Sequence, residues 1–185
     1  MSETIGTRVR QWSASSRVEC VEIMPSAPFS YVPGHVVTLA AGETSPGYFA
    51  IGSAPSEGPA LRFYLRPGGA AADSVLEAQD GDPIRIAGPI AHGFPLGPVT
   101  GKDLLFVGVG TGVAPLRSAL VEALRDRAQY GRIVLVMGAT DPQRCAAPRS
   151  STPGERPASR SWRPWTRGDH HGPGRSASCK TSSAR

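Results

Sequence analysis

Asp103 to Pro115 reads DLLFVGVGTGVAP, an apolar run that breaks into three alternating glycines and closes on a proline. Leu104, Leu105, Phe106 and Val107 are continuously apolar, the pattern of a parallel strand covered on both faces. Gly108, Gly110 and Gly112 allow a sharp turn and let the backbone approach a ligand with no Cβ in the way. Pro115 suits the first turn of a helix, where its missing N–H costs nothing. Beyond it, Leu116, Leu120, Ala123, Leu124 and Ala128 recur at helical spacing, and Gly131 supplies a stop. Arg132 to Met137 (RIVLVM) then reads as a second buried strand. Strand, glycine turn, helix and strand make one βαβ unit, whose helix N-terminus attracts anionic phosphate. Taken by spacing alone, a tight turn in any α/β protein gives the same pattern. The helix opening lacks a P-loop lysine, which argues against nucleotide triphosphate hydrolysis.

The chain of 185 residues has the length of one domain or two small ones, and its composition is uneven. From Ala146 to Arg185 there is no Val, Ile, Leu, Phe or Met, whereas Arg, Ser, Pro and Gly make up 24 of the 40 residues. Such a segment buries too little apolar surface to offset its ordering entropy, so 146–185 is expected to be a disordered tail. It carries a net charge of +6 against −1 for residues 1–145, so the basic balance belongs to the tail. One reading is a basic arm for nucleic acid. Its arginines have no period, however, and Trp162 and Trp165 form no stacking series. The favoured expectation is a change of reading frame or gene boundary near residue 145, since out-of-frame GC-rich DNA gives this composition.

Cys20, Cys145 and Cys179 share no metal-type spacing and imply no disulfide framework, as suits a reducing cytosol. The first residues, MSETIGTRVRQW, lack the apolar core of a secretory leader, and no apolar run is long enough to span a membrane. A cytoplasmic protein with no membrane partner is expected, with no metal site and no catalytic side-chain constellation. His35 and His92 have no acidic or histidine neighbour and read as surface residues.

Before the βαβ unit the chain is short strands and turns. Arg17–Met24, Val36–Ala40, Tyr48–Gly52, Leu61–Arg66 and Pro83–Ala87 are strand-like and separated by glycine- and proline-bearing turns. Their spacing reads as a small antiparallel barrel. Asp73–Gln79 is the one short helix expected there.

The order of these pieces resembles the ferredoxin–NADP+ reductase superfamily, in particular its branch of hydrogenase and dihydroorotate-dehydrogenase electron-transfer subunits. The resemblance is carried by YVPGHVVTL (31–39), YFAIGSAP (48–55), LRFYLRPGG (61–69), GDPIRIAGPIAHGFPL (81–96), GVGTGVAPLRS (108–118) and VLVMGAT (134–140). It implies an all-β flavin barrel over residues 1–100 and a partial α/β NAD(P)-binding domain over 101–145. It further implies FAD and a nicotinamide dinucleotide as cofactors, and an iron–sulfur protein as electron partner. In the family's Arg-x-Tyr-Ser flavin motif, the matching residues here are Gly47, Tyr48, Phe49 and Ala50, so the phosphate-pairing arginine is absent.

Phe49 is the residue left to stack on an isoalloxazine, with Ile51 and Ser53 following in the same block. Arg66 stands in for the missing charge. The Ser or Thr of the family's next phosphate turn falls at Asp73, leaving Ser74 to serve. Gly110, Thr111, Gly112 and Pro115 match the nicotinamide and pyrophosphate loop; Gly138 and Thr140 match the start of the ribose-reading motif, where Asp141 favours NAD over NADP. The function implied is flavin-dependent hydride transfer with onward electron transfer, inactive if the chain is truncated. A non-catalytic flavin- or partner-binding module is the alternative, and a nucleic-acid-binding basic tail a third reading.

Overall fold

The computed structural model describes residues 2–139 and the backbone of residues 160–162 and 177–181. Six strands form one antiparallel sheet: β1 (Ser2–Ser15), β2 (Val18–Pro25), β3 (Val36–Ala41), β4 (Gly47–Ala50), β5 (Leu61–Leu65) and β6 (Pro83–Ile90). Their order is β4-β3-β6-β1-β2-β5. The two edges meet just after β4, where Gly52 N–H donates to Arg62 O of β5 at 2.7 Å. The sheet therefore rolls up, as the short punctuated strands lead one to expect.

Five of these strands fall where the sequence pattern puts them, and β1 has no counterpart in that pattern. Its apolar residues Ile5 and Val9 point outward, 45% and 41% exposed. Its inner face instead brings Gly6 against the barrel core, where a Cβ would lie 2.5 Å from Ile23 Cγ2 and 2.7 Å from Ile86 Cδ1. A strand whose inward residue is glycine gives no hydrophobic alternation to read. Helix α1 (Ala70–Glu77) begins three residues before the expected Asp73, after the extended Gly69.

Strands β2 and β5 are buried on both faces, and this makes two cores. Val21, Ile23, Leu61, Phe63 and Leu65 point into the roll with Val37, Leu39, Ile84 and Ile86. Val18, Cys20 and Tyr64 point the other way, into a second cluster with Phe106, Val113, Ala114, Ala119, Leu135 and Met137. This second cluster joins the roll to the following βαβ segment.

That segment consists of β7 (Leu104–Val109), a 3-10 turn over Gly110–Gly112, helix α2 (Val113–Arg125) and β8 (Ile133–Ala139). β7 and β8 pair in parallel with Phe106 opposite Leu135, the arrangement a crossover helix requires. One face packs under α2. The other leaves Leu105, Val107 and Val109 exposed by 67%, 63% and 70%, so among the described residues the apolar run is covered on one side rather than two. The tail expected to be disordered lies outside the described residues, apart from two strands. These are β9 (Arg160–Trp162) and β10 (Ala177–Thr181), which extend the sheet in the order β7-β8-β10-β9.

Candidate functional site

The glycine turn is open where a ligand would need it. At Gly110 and Gly112, a Cβ would meet nothing within 4 Å. Gly110 also has φ +54, a left-handed conformation that a side chain would strain. Gly108 differs, because a Cβ there would lie 2.6 Å from Leu116 Cδ1, so its role is close packing of strand on helix. Thr111 lies in the same turn and is half-buried, and Pro115 falls in the first turn of α2 as expected. Gly138 lies in β8 opposite Val109, and a Cβ there would approach Val109 Cγ1 to 2.7 Å. Thr140 lies outside the described residues.

On the roll, Phe49 is half-buried in β4, paired with Val37 and packed against the barrel core. Its neighbour Ala50 packs against the second cluster, which holds Val113 and Ala114 from the residues directly after the glycine turn. The strand carrying the aromatic and the helix carrying the turn therefore share one core. Ile51 is fully buried, and its N–H donates to His35 O at 2.9 Å. Ser53 is buried and spent on structure. Its hydroxyl accepts from Arg62 N–H at 3.1 Å and bonds the Tyr31 hydroxyl at 3.0 Å.

The turn after β5 carries Arg66, and the first turns of α1 carry Asp73 and Ser74. Arg66 is exposed and without an ion-pair or hydrogen-bond partner among the described residues. Gly68 and Gly69 are open, with nothing within 4 Å of a Cβ position. The Gly68 N–H, however, donates to Asp73 Oδ1 at 2.9 Å. Ser74 faces inward, accepting from Ala41 N–H at 3.2 Å and donating to Ala71 O at 3.0 Å. Position 47 has no room for an arginine, since a Cβ on Gly47 would lie 2.7 Å from the Ala71 methyl.

The junction between roll and helix is charged, and none of its ion pairs was legible beforehand. Arg117 of α2, its side chain 3% exposed, donates from Nη1 and Nη2 to the two Glu57 oxygens at 2.6 Å each. Nη1 also reaches Gly52 O at 2.8 Å. Glu57 lies 3.6 Å from Arg62, which donates to Glu22 at 2.7 Å, and Glu22 accepts from Arg10. The guanidinium groups of Arg10 and Arg62 lie over the Trp12 ring at 4.9 and 5.6 Å. Next to Arg117, Ser118 Oγ donates to Ser53 O at 2.6 Å. Further along α2, Glu122 accepts from Ser56 Oγ at 2.8 Å. The sequence signal is weak: Arg62 is the one charge in the otherwise apolar β5, and Glu22 is one of two glutamates in β2.

Burial raises the Glu57 carboxyl, but the Arg117 hydrogen bonds, the Ala54 N–H and the charges of Arg117 and Arg62 outweigh it, so its pKa ends below the ordinary glutamate value. Glu22 follows the same balance, with Arg10 and Arg62 overcoming burial. Burial pushes the Cys20 thiol, in the second cluster, up to about 12. A thiol held neutral in this way is packing material and not a nucleophile. Among the described residues, no group of three or more His, Cys, Asp and Glu is placed to hold a metal ion, and no helix is long and apolar enough to cross a membrane.

No family model matches the chain. In sequence it is 31% identical over 108 residues to the sulfhydrogenase 1 gamma subunit of Pyrococcus furiosus, covering 58% of this chain and 37% of that one. It is 40% identical over 95 residues to ferredoxin–NADP reductase B of Sorangium cellulosum, covering 49% and 37%. The chain thus spans little more than a third of the length of these relatives. In structure it matches a mutant of the ferredoxin–NADP+ reductase of Plasmodium falciparum with a TM-score of 0.68 at 17% identity, over 77% of this chain and 60% of that one. A ferredoxin–NADP+ reductase from Neisseria gonorrhoeae with bound FAD and NADP gives 0.64 at 21% identity, over 78% and 60%.

Proposed function

We propose that this chain, whose sequence and fold are similar to those of the ferredoxin–NADP+ reductase superfamily, carries the flavin side and the entry to the nicotinamide side of an electron-transfer oxidoreductase. In this reading residues 1–100 hold FAD, residues 101–145 receive NAD(P)H, and the protein works in the cytoplasm. The observation that supports it is the shared core that sets Ala50, beside Phe49, against Val113 and Ala114, beside the open glycine turn.

The residues present fit the two cofactors unequally. The space beside Gly110 and Gly112 at the start of α2 suits a diphosphate, with the positive end of the helix behind it. Phe49, half-buried in β4 and packed on one side against the barrel core, offers a ring for stacking. For the flavin phosphates the open Gly68–Gly69 turn and Arg66 remain, because Ser74 is engaged and position 47 is closed by Ala71. Asp73, already held by the Gly68 N–H, adds negative charge where an anion would approach, and this predicts weaker flavin retention. When bound, the cofactors supply hydride transfer between nicotinamide and flavin, followed by single-electron release to an iron–sulfur partner. The protein's own part is to stack, to orient and to keep the two rings in one dry junction.

The test is reconstitution of the full chain with FAD, followed by anaerobic addition of NADH or NADPH. Retained yellow colour that bleaches faster than free FAD under the same conditions is the expected outcome. A chain that retains no flavin, or one whose flavin bleaches no faster than free FAD, overturns the assignment. Retention without bleaching would leave a flavin-binding module.

A further inference from the structure

The geometry points to Arg117 as a positioning residue that, through Glu57, fixes the helix carrying the glycine turn against the loop that follows the Phe49 strand. Three residues of α2 hold that loop. Arg117 takes both Glu57 oxygens and Gly52 O, Ser118 takes Ser53 O, and Glu122 takes the Ser56 hydroxyl. All the loop partners fall within residues 52–57, two to seven residues past β4. On the helix, Arg117 is five residues past Gly112. The attachment is therefore short at both ends, leaving little chain in which an error of placement could be absorbed.

The chemistry of the contact suits orientation more than adhesion. A guanidinium meeting a carboxylate through two parallel bonds fixes direction as well as distance. Apolar packing in the second cluster, being non-directional, brings the two halves together without setting their angle. Glu57 is itself held, since Ala54 N–H donates to its Oε2 at 2.7 Å and Arg62 lies on its other side. Arg62 is in turn anchored by Glu22. The alternating charges Arg10, Glu22, Arg62, Glu57 and Arg117 run from the barrel wall into α2, so the clasp is braced against β2 and β5.

The kinetic consequence rests on the function proposed above, because a ring-to-ring transfer is sensitive to displacements of about 1 Å. Two independent measurements separate this inference from that reading. In the full chain without cofactors, Arg117→Ala is expected to lower amide-exchange protection in residues 51–57 and 110–116 together, while β3 and β6 stay protected. Loss confined to residues 51–57, with the glycine turn unchanged, overturns the inference, and this result needs no flavin.

In the reconstituted protein, Arg117→Ala is expected to slow flavin reduction at saturating NAD(P)H by about 10- to 100-fold. The FAD dissociation constant should stay within about twofold, and Arg117→Lys should recover part of the rate, since one ammonium replaces one of two bonds. An unchanged limiting rate, or an equal loss for the lysine and alanine variants, overturns it. Should the unmodified chain not be reduced at all, the proposed function falls and the exchange measurement still decides the clasp.

Discussion

In the rolled sheet, Val21, Leu39, Phe63 and Ile86 lose all contact with solvent, whereas in β7 every second residue faces outward. Both regions are strands of aliphatic residues, and their composition hardly separates them. The difference is closure. Six antiparallel strands that curl until Gly52 meets Arg62 supply their own cover, while two parallel strands need a layer on each side and α2 supplies one. Stability should therefore be concentrated in the roll, with the βαβ segment leaning on it through the second cluster and the Arg117 clasp. Substitutions in the two regions should differ sharply in cost.

The largest effect is expected at the centre of the roll. Phe63→Ala removes a fully buried ring from the core of the roll and should cost about 3–5 kcal/mol. Chemical denaturation followed by far-UV circular dichroism measures it. A loss near 1 kcal/mol would mean that the roll is not the stable part.

The joint between the regions comes next. Glu57→Gln leaves the guanidinium of Arg117 buried with a neutral partner and should cost about 2–3 kcal/mol at neutral pH. The same carboxylate gives a pH signature. Its folded pKa lies below its unfolded one, so its contribution is fully present above the ordinary glutamate range and is lost as pH falls through the folded value. The original chain should therefore lose more stability than Glu57→Gln between about pH 5 and pH 3. Parallel curves of unfolding midpoint against pH would show that Glu57 does not hold the joint.

What the sequence revealed and what it hid follow the same division. Strands β2 to β6 and the parallel pair could be placed because residues such as Val36, Leu39, Leu61 and Phe63 announce themselves by period and by flanking turns. The glycine turn was legible because its residues are contiguous. The clasp was not, since Glu57 and Arg117 are 60 positions apart and each alone resembles a surface charge. Ser74 shows the same limit in reverse, because its place in the chain suggested a phosphate ligand and only the fold turns its hydroxyl toward Ala41. Local pattern carries elements, whereas pairings depend on a topology that local pattern leaves open.

Within the βαβ segment, two glycines four residues apart should behave oppositely. Gly108→Val drives a side chain into Leu116 and should cost about 1–3 kcal/mol by overpacking. Gly112→Val enters open space at φ −59, a conformation valine accepts, and should change stability by about 0.5 kcal/mol or less. It should instead weaken nicotinamide binding about tenfold or more while sparing FAD, since the valine occupies the approach to the amides. Thermal unfolding and difference-spectrum titration with NAD(P)H separate the two. Equal loss of stability at both positions would make the turn purely structural.

The smallest effect is expected on the uncovered face of β7. Leu105→Thr combined with Val107→Thr keeps strand-compatible side chains at exposed positions, so folding stability should move by no more than about 0.5 kcal/mol. Binding of a fluorescent apolar dye and light scattering should both fall, because the variant shortens a row of exposed aliphatics that ends at Val109. The two readouts bear on the comparison differently. A stability loss above about 1.5 kcal/mol would show that this face is buried in solution, because surface threonines do not cost that much. The parallel pair would then have a second covering layer, and its dependence on the roll would be correspondingly smaller.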